Sequence, residues 1–160
     1  MINVVDLAEQ VARASHEGQV DKIGHPYIEH PARVARSAAG AAPADIRDAV
    51  CAVGWLHDVV EDTQTDIAEL RAFGFSEEIL AGVEAMTKRS GEAPEAYFAR
   101  VRANILARLV KAADIDDNTS PKRVAQLDAD TRDRLAAKYQ RSRELLHAGL
   151  APTTHQQHQE

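Results

Sequence analysis

The sequence is poor in cysteine and in long apolar runs, and each shortage excludes a class of protein. Cys51 is the single cysteine among 160 residues, so no disulfide can form within the chain and a reducing compartment is expected. No apolar run approaches the length of a membrane span. The first fifteen residues lack the basic start and the cleavage site of a signal peptide. We therefore expect a cytoplasmic protein, in which Cys51 is most simply a small core residue.

Basic residues are also fewer than acidic residues. The chain has 19 Lys and Arg against 25 Asp and Glu, which gives a formal net charge of −6 at pH 7. Non-specific binding to nucleic acid or to a membrane surface is therefore not expected. A polyanionic small molecule can still bind where a metal ion, lysines or arginines supply local positive charge. Both a monomer and a homodimer are compatible with the sequence.

Alanine, in contrast, is abundant, and apolar residues recur at helical spacing along much of the chain. The length suits one domain with one core, and short Val/Ile runs favour helices over sheet. The apolar spacing and capping residues predict helices over residues 4–15, about 28–39, 45–60, 66–73, 76–86, 95–113 (as one or two helices) and 130–147. We expect an all-α fold, with one helical bundle over residues 1–150 and a polar, disordered tail over 151–160.

The stretch "GWLHDVVEDT" places His57, Asp58, Glu61 and Asp62 in what otherwise resembles core. A buried charge is costly unless it is paired or bound to a metal. On one continuous helix the four side chains would share one side, because His57 and Glu61 are four residues apart, as are Asp58 and Asp62. Imidazole and carboxylate ligands suit a divalent Mn, Fe or Zn ion. The alternative is a solvated acidic helix end, which is the better interpretation for the dipeptide His57-Asp58 alone.

Two other segments offer further ligands. In "GHPYIEHP", His30 lies at the start of the second predicted helix, whereas His25 is expected at the surface. In "VKAADIDDN", Asp114 ends an apolar helix, where its carboxylate needs a partner such as a metal ion. Asp116 and Asp117 are interpreted as solvated turn residues. A four-ligand site with open positions for water and substrate would then consist of His30, His57, Asp58 and Asp114.

The segments "SHEGQVDKIGHPYIEHPARVA", "WLHDVVEDT" and "VKAADIDDN" together resemble the HD-domain phosphohydrolases. The resemblance spans residues 15–118. It is closest to the hydrolase domain of the Rel/SpoT alarmone enzymes and to the stand-alone small alarmone hydrolases. It implies a single HD-domain helical bundle that hydrolyses (p)ppGpp-type alarmones. The 3′-pyrophosphate would be released to leave GDP or GTP, or the adenine equivalent.

The resemblance also implies a role for individual residues. Its metal ligands are His30, His57, Asp58 and Asp114, and the ion is most often Mn²⁺. Glu61 and Asp62 match the pair that acts on the nucleophilic water. Asn118 matches an asparagine that lies along the nucleotide. Tyr139 matches, more loosely, an aromatic residue that borders the ligand, and it is equally well interpreted as a core residue.

One departure from the resembling family concerns the base of the nucleotide. Rel/SpoT hydrolases carry an arginine-lysine pair whose arginine stacks on guanine, and this chain has Asp21-Lys22. Lys22 is a candidate contact for phosphate or base, but Asp21 cannot stack as a guanidinium does. Lys88 and Arg89 are candidates for holding a distal diphosphate, with a solvated surface loop as the alternative. Lys111 either faces the same cleft or covers apolar surface near the protein exterior.

Three other hypotheses remain open on this evidence. The first is an HD phosphohydrolase that acts on another nucleotide or small phosphorylated metabolite. The second is a non-catalytic module that binds a nucleotide without turnover, although the complete set of candidate ligands argues against it. The third, a purely structural helical domain, leaves His57, Asp58 and Asp114 unexplained.

Overall fold

The structure is a computed structural model that describes residues 2–149. The predicted tail, residues 151–160, lies outside the described residues. The helices are α1 (Val4–Ser15), α2 (Glu29–Ala41), α3 (Arg47–Leu56), α4 (Val59–Asp62), α5 (Ile67–Phe73), α6 (Glu77–Met86), α7 (Pro94–Arg102), α8 (Ile105–Asn118), α9 (Pro121–Val124) and α10 (Ala129–His147). Between residues 2 and 149, β-structure is limited to one isolated bridge from Val20 to Pro26. The predicted all-α fold is confirmed.

Helix α3 lies at the centre of the molecule and packs against α1, α2, α6 and α8. The side chains of Val50, Val53 and Leu56 on this helix are completely buried. Gly54 allows α3 to approach α2 closely, since a Cβ atom at this position would lie 2.6 Å from the Cα of Ala35. The core therefore fixes the distance between the two helices that lead into the candidate site. Across the described residues, no helix is long and apolar enough to span a bilayer.

Several helix ends follow from local sequence. Asp66 caps α5 by accepting a hydrogen bond from the Glu69 backbone N–H at 2.9 Å, and the Glu69 side chain completes a capping box. The helix stops at Gly74, which has a left-handed φ of 105°. Ser76 caps the next helix. These starts and stops agree with the ends predicted from the sequence.

The prediction of one continuous helix over residues 45–60 is wrong, because the helix is interrupted at the candidate site. Helix α3 ends at Leu56 and α4 begins at Val59, with His57 and Asp58 in the turn between them. The imidazole Nδ1 of His57 bonds to the carbonyl oxygen of Gly54 at 2.7 Å. The side chain thereby competes for the carbonyl group that a continuing helix would use. The four ionisable groups therefore do not share one side of a single helix.

The predicted break after residue 113 is also wrong, because α8 continues to Asn118. Asp116 is exposed, but Asp117 is not a solvated turn residue. Its carboxylate accepts hydrogen bonds from Arg33 and Arg123 and lies against the ring of His30. These cationic partners from other helices remove the charge repulsion that would otherwise oppose an acidic helix end.

Candidate metal and substrate site

A cavity of about 520 Å³ opens among the loop before α2, the turn between α3 and α4, and helices α8 and α10. Its wall contains nine of the ten residues that the sequence predicts for the site: Lys22, His30, Asp58, Glu61, Asp62, Lys88, Asp114, Asn118 and Tyr139. His57 is the exception. It lies behind the wall and is 1% exposed. Five separate segments of the chain thus contribute predicted residues to one cavity.

The four predicted metal ligands converge at the buried end of this cavity. Nε2 of His30 lies 2.9 Å from Oδ1 of Asp114, and Nε2 of His57 lies 3.6 Å from the same oxygen. Oδ2 of Asp58 is 3.0 Å from Nε2 of His57 and 3.9 Å from Nε2 of His30. The ligand atoms of His30, His57 and Asp114 are all within 4.8 Å of one another. Two imidazoles and two carboxylates therefore point at a common volume.

The hydrogen bonding of His57 fits a cation in that volume. Its Nδ1 atom donates to the carbonyl oxygen of Gly54, so that Nε2 is the nitrogen that faces the cluster. This Nε2 atom is buried and has no partner with hydrogen-bond geometry. A buried polar atom without a partner costs free energy. Because the neighbouring groups are carboxylates, which cannot donate when ionised, a divalent cation is the partner that satisfies the whole set.

The electrostatics of the cluster favour positive charge. Burial disfavours a charged imidazole, yet the carboxylates of Asp58 and Asp114 raise the pKa of His57 well above its usual value. Burial also opposes ionisation of Asp114, but the Lys111 ammonium and both histidines lower the pKa of that carboxyl group. The negative charge of the two carboxylates can be neutralised by protons on the histidines or, in their place, by a divalent ion.

Additional side chains hold the candidate ligands in place. The Lys111 Nζ atom donates to Oδ2 of Asp114 at 3.0 Å, and the Asn118 amide donates to Oδ1 at 3.0 Å. The hydroxyl group of Tyr27 donates to Oδ2 of Asp58. Lys111 is 9% exposed and faces the cleft. Of its two interpretations, the cleft residue is therefore right and the surface residue is not. Sequence reasoning missed Tyr27, although it lies within the "GHPYIEHP" segment that supplies His30.

Glu61 and Asp62 lie on α4, at the edge of the cavity. Glu61 accepts a hydrogen bond from the backbone N–H of Lys88 at 2.8 Å, which ties the 87–93 loop to α4. Burial, together with the carboxylates of Asp58 and Glu61, raises the pKa of Asp62 to about 6. Asp58, Glu61 and Asp62 offer oxygen atoms within 4.8 Å of one another. A carboxylate with this pKa can accept a proton at neutral pH.

Five cationic side chains line the cavity, among apolar and aromatic ones. They are Lys22, Lys88, Lys111, Arg123 and Lys138. The sequence analysis named the first three and missed Arg123 and Lys138, since nothing in the local sequence shows that α9 and α10 turn toward the cavity. This set supplies the local positive charge that an acidic protein needs in order to bind a polyanion.

Asp21 has a structural role in the loop that carries Lys22. Its Oδ1 atom accepts hydrogen bonds from the backbone N–H groups of Ile23 and His25, both at 2.9 Å. Its Oδ2 atom lies 3.9 Å from the guanidinium group of Arg123. The carboxylate therefore closes its own turn and pairs with an arginine from another helix. His25 itself is exposed, as the sequence predicts.

Tyr139 combines the two interpretations that the sequence left open. It is partly buried and packs against the hydrophobic core, and its ring also lines the cavity. The Lys138 Nζ atom lies 5.3 Å from the centre of this ring. Tyr139 can therefore present an aromatic edge to a ligand while it contributes to the packing of α10.

Comparison with known proteins gives no matching family model but several similar sequences. The chain is 35% identical over 121 residues to a GTP pyrophosphokinase of Streptomyces coelicolor, covering 69% of this chain and 14% of that protein. It is 35% identical over 136 residues to the bifunctional (p)ppGpp synthase/hydrolase SpoT of Escherichia coli, covering 79% of this chain and 19% of that protein. The chain thus spans less than a fifth of the length of these curated relatives.

A solved structure shares the fold. It is that of a metazoan SpoT orthologue described as hydrolysing ppGpp and having a role in starvation responses. The TM-score is 0.73 at 20% sequence identity, and the match covers 92% of this chain and 88% of that chain. At this coverage, the helical arrangement described here is nearly the whole of that domain.

Proposed function

We propose that this chain, which is similar in sequence to Rel/SpoT enzymes and shares the fold of a SpoT orthologue, hydrolyses (p)ppGpp-type alarmones, releasing the 3′-pyrophosphate to leave GDP or GTP. The observation that carries this proposal is the unpartnered, buried Nε2 atom of His57 among two carboxylates and a second imidazole. It lies behind a cavity whose wall carries five lysine and arginine side chains among apolar and aromatic ones. A divalent cation and a polyphosphate are the ligands that match these two features.

The residues that would hold the ion are His30, His57, Asp58 and Asp114. Mn²⁺ is the ion that the resemblance to the HD-domain phosphohydrolases implies, and a mixed imidazole and carboxylate set accommodates such a divalent metal. When bound there, such an ion polarises a phosphoryl oxygen and lowers the pKa of a water molecule. Lys111 and Asn118 keep Asp114 oriented through their hydrogen bonds to its two oxygens.

Glu61 and Asp62 are proposed to orient the attacking water and to take its proton. With a pKa of about 6, Asp62 is ionised at neutral pH and is still a competent proton acceptor. The water oxygen adds to the phosphorus that carries the 3′ oxygen. The bond from that phosphorus to the 3′ oxygen then breaks, and the 3′ oxygen receives a proton.

The cationic wall is proposed to bind the phosphates, with Lys22, Lys88, Lys111, Arg123 and Lys138 offsetting their negative charge. Asn118 and Tyr139 are proposed to lie along the nucleotide. Asp21 is engaged in its own turn, so position 21 offers no guanidinium platform for guanine. This observation favours a second candidate function, in which the same site hydrolyses an adenine alarmone or another phosphorylated nucleotide. A cytoplasmic location stays a prediction, and both a monomer and a homodimer are compatible with the chain.

The test is an end-point assay of the purified protein with Mn²⁺. The substrates are ppGpp and its adenine counterpart, and the products are separated by chromatography. His57→Ala serves as the inactive protein, and His25→Ala, which removes an exposed histidine, is the matched control. We expect pyrophosphate release by the wild-type and His25→Ala proteins and none by His57→Ala. Binding of Mn²⁺ and nucleotide without turnover would contradict the proposal and favour the non-catalytic binding module.

A further inference from the structure

Asp117 lies three residues after Asp114 on α8, and its carboxylate is almost completely enclosed. Its Oδ2 atom is 2.7 Å from Nδ1 of His30. Its Oδ1 atom accepts from Nε of Arg33 at 2.7 Å, and Oδ2 accepts from a terminal nitrogen of Arg123 at 2.9 Å. The side chain of Asp117 is 11% exposed. One carboxylate is thus fixed by two arginines from different helices and faces the far nitrogen of a candidate metal ligand.

This arrangement selects one orientation of the His30 ring. Nδ1 of His30 lies 2.7 Å from the carboxylate of Asp117 and 3.5 Å from the guanidinium group of Arg123. The carboxylate is the closer partner, and it can only accept, so Nδ1 carries a proton and donates it. Nε2 faces Asp58 and Asp114, with Oδ1 of Asp114 at 2.9 Å, so Nε2 is the nitrogen at which a bound cation would replace a proton.

We propose that Asp117 is a positioning residue, clamped by Arg33 and Arg123, which orients His30 so that its Nε2 atom is presented to the divalent cation. The inference rests on the metal site of the proposed function. It assigns a role to Asp117 and Arg33, which neither contact the cation volume nor enter the proposed chemistry, and a second role to Arg123, which also lines the cavity. A carboxylate behind a ligating imidazole fixes the orientation of the ring and increases its basicity as a ligand.

The two arginines keep Asp117 in the form that this role requires. Arg33 donates to Oδ1 and Arg123 donates to Oδ2, so the negative charge of the carboxylate is paired on both oxygens while it accepts from His30. His57 has a different support, the neutral carbonyl group of Gly54. The two candidate histidine ligands thus differ in the charge behind the ring, and His30 is the more strongly polarised of the two.

The test measures Mn²⁺ affinity by calorimetry in the absence of substrate. Removal of an outer partner of a metal ligand weakens metal binding roughly 10–100-fold, and we expect a loss of this size for Asp117→Ala. Asp117→Asn should fall between that variant and the wild type, because an amide oxygen can still accept from Nδ1 but carries no charge. Asp116→Asn is the matched control, since it removes the same charge from an exposed neighbouring side chain.

A second measurement does not depend on any variant folding. In the wild-type protein loaded with diamagnetic Zn²⁺, two-bond ¹⁵N–¹H correlations should assign the ring proton of His30 to Nδ1. Unchanged Mn²⁺ affinity in Asp117→Ala, or a proton on Nε2, would overturn the inference. Failure of the wild-type protein to bind Mn²⁺ would overturn both the inference and the metal site. An affinity loss in Asp117→Ala without alarmone turnover by the wild type would overturn the proposed substrate and leave the role of Asp117 intact.

Discussion

Replacement of Gly54 by alanine should weaken both the fold and the metal site. A Cβ atom at this position would lie 2.6 Å from the Cα of Ala35, which is 0.8 Å closer than the 3.4 Å at which ordinary contacts begin. The obstructing atom is backbone, so rotation of a side chain cannot relieve the clash. Helices α2 and α3 must therefore separate, and these helices carry His30 and lead into His57.

The magnitude follows from two opposing effects. Overpacking a core costs about 1–3 kcal/mol, whereas alanine in place of glycine in a helix interior returns about 1 kcal/mol. We expect a net loss of up to about 2 kcal/mol and, for a chain of this size, a fall in Tm of up to roughly 8 °C. A shift of 0.8 Å also exceeds the tolerance of about 0.5 Å for a preorganised site. Mn²⁺ affinity should therefore fall by roughly tenfold or more.

The assay is thermal unfolding by circular dichroism, combined with Mn²⁺ titration calorimetry. Gly40→Ala is the matched control, because Gly40 lies near the end of α2 and a Cβ atom there would meet no atom within 4 Å. This control should keep or slightly raise Tm and leave Mn²⁺ affinity unchanged. If Gly54→Ala matched Gly40→Ala in both measurements, the argument that close approach of α2 and α3 sets the geometry of the site would be refuted.

Two further substitutions test the buried charges. Lys111→Met removes the ammonium partner of Asp114 and should cost about 3 kcal/mol in urea unfolding with EDTA present. Mn²⁺ should restore part of that loss, and Lys138→Met should change stability little; equal effects of the two substitutions would contradict the prediction. Glu61→Gln keeps an acceptor for the Lys88 N–H but cannot take a proton, so kcat should fall roughly 10²–10⁴-fold with little change in KM. A Glu61→Gln enzyme with full kcat would exclude the proposed role of that carboxylate.

The local sequence was sufficient for the helices whose ends have chemical signals. Asp66, Gly74 and Ser76 mark ends that depend on side chains or on a left-handed glycine within a few residues of the helix. It was also sufficient to name the candidate ligands, because histidine and aspartate at the ends of apolar helices are costly without a partner. Each of these inferences uses interactions between residues that are close in sequence.

The local sequence failed where a distant partner decided the outcome. Asp117 is indistinguishable from Asp116 as a solvated acidic residue until α2 brings Arg33 and His30 against it, 84 and 87 residues away along the chain. The turn at His57 and Asp58 could not be predicted either, because both residues are compatible with a continuing helix. In that turn Asp58 is held by the hydroxyl group of Tyr27 from another segment.

The sequence by itself determined the all-helical class and the identity of the candidate metal ligands, since helix propensity, capping and the cost of burying charge are properties of short segments. Only the tertiary structure decided which nitrogen of each histidine faces the cluster and which carboxylates lie beside it. It also decided which lysines and arginines line the cavity. Hydrogen bonds that orient a side chain depend on distances of a few tenths of an ångström between helices, and those distances are set by packing such as that of Gly54 against Ala35.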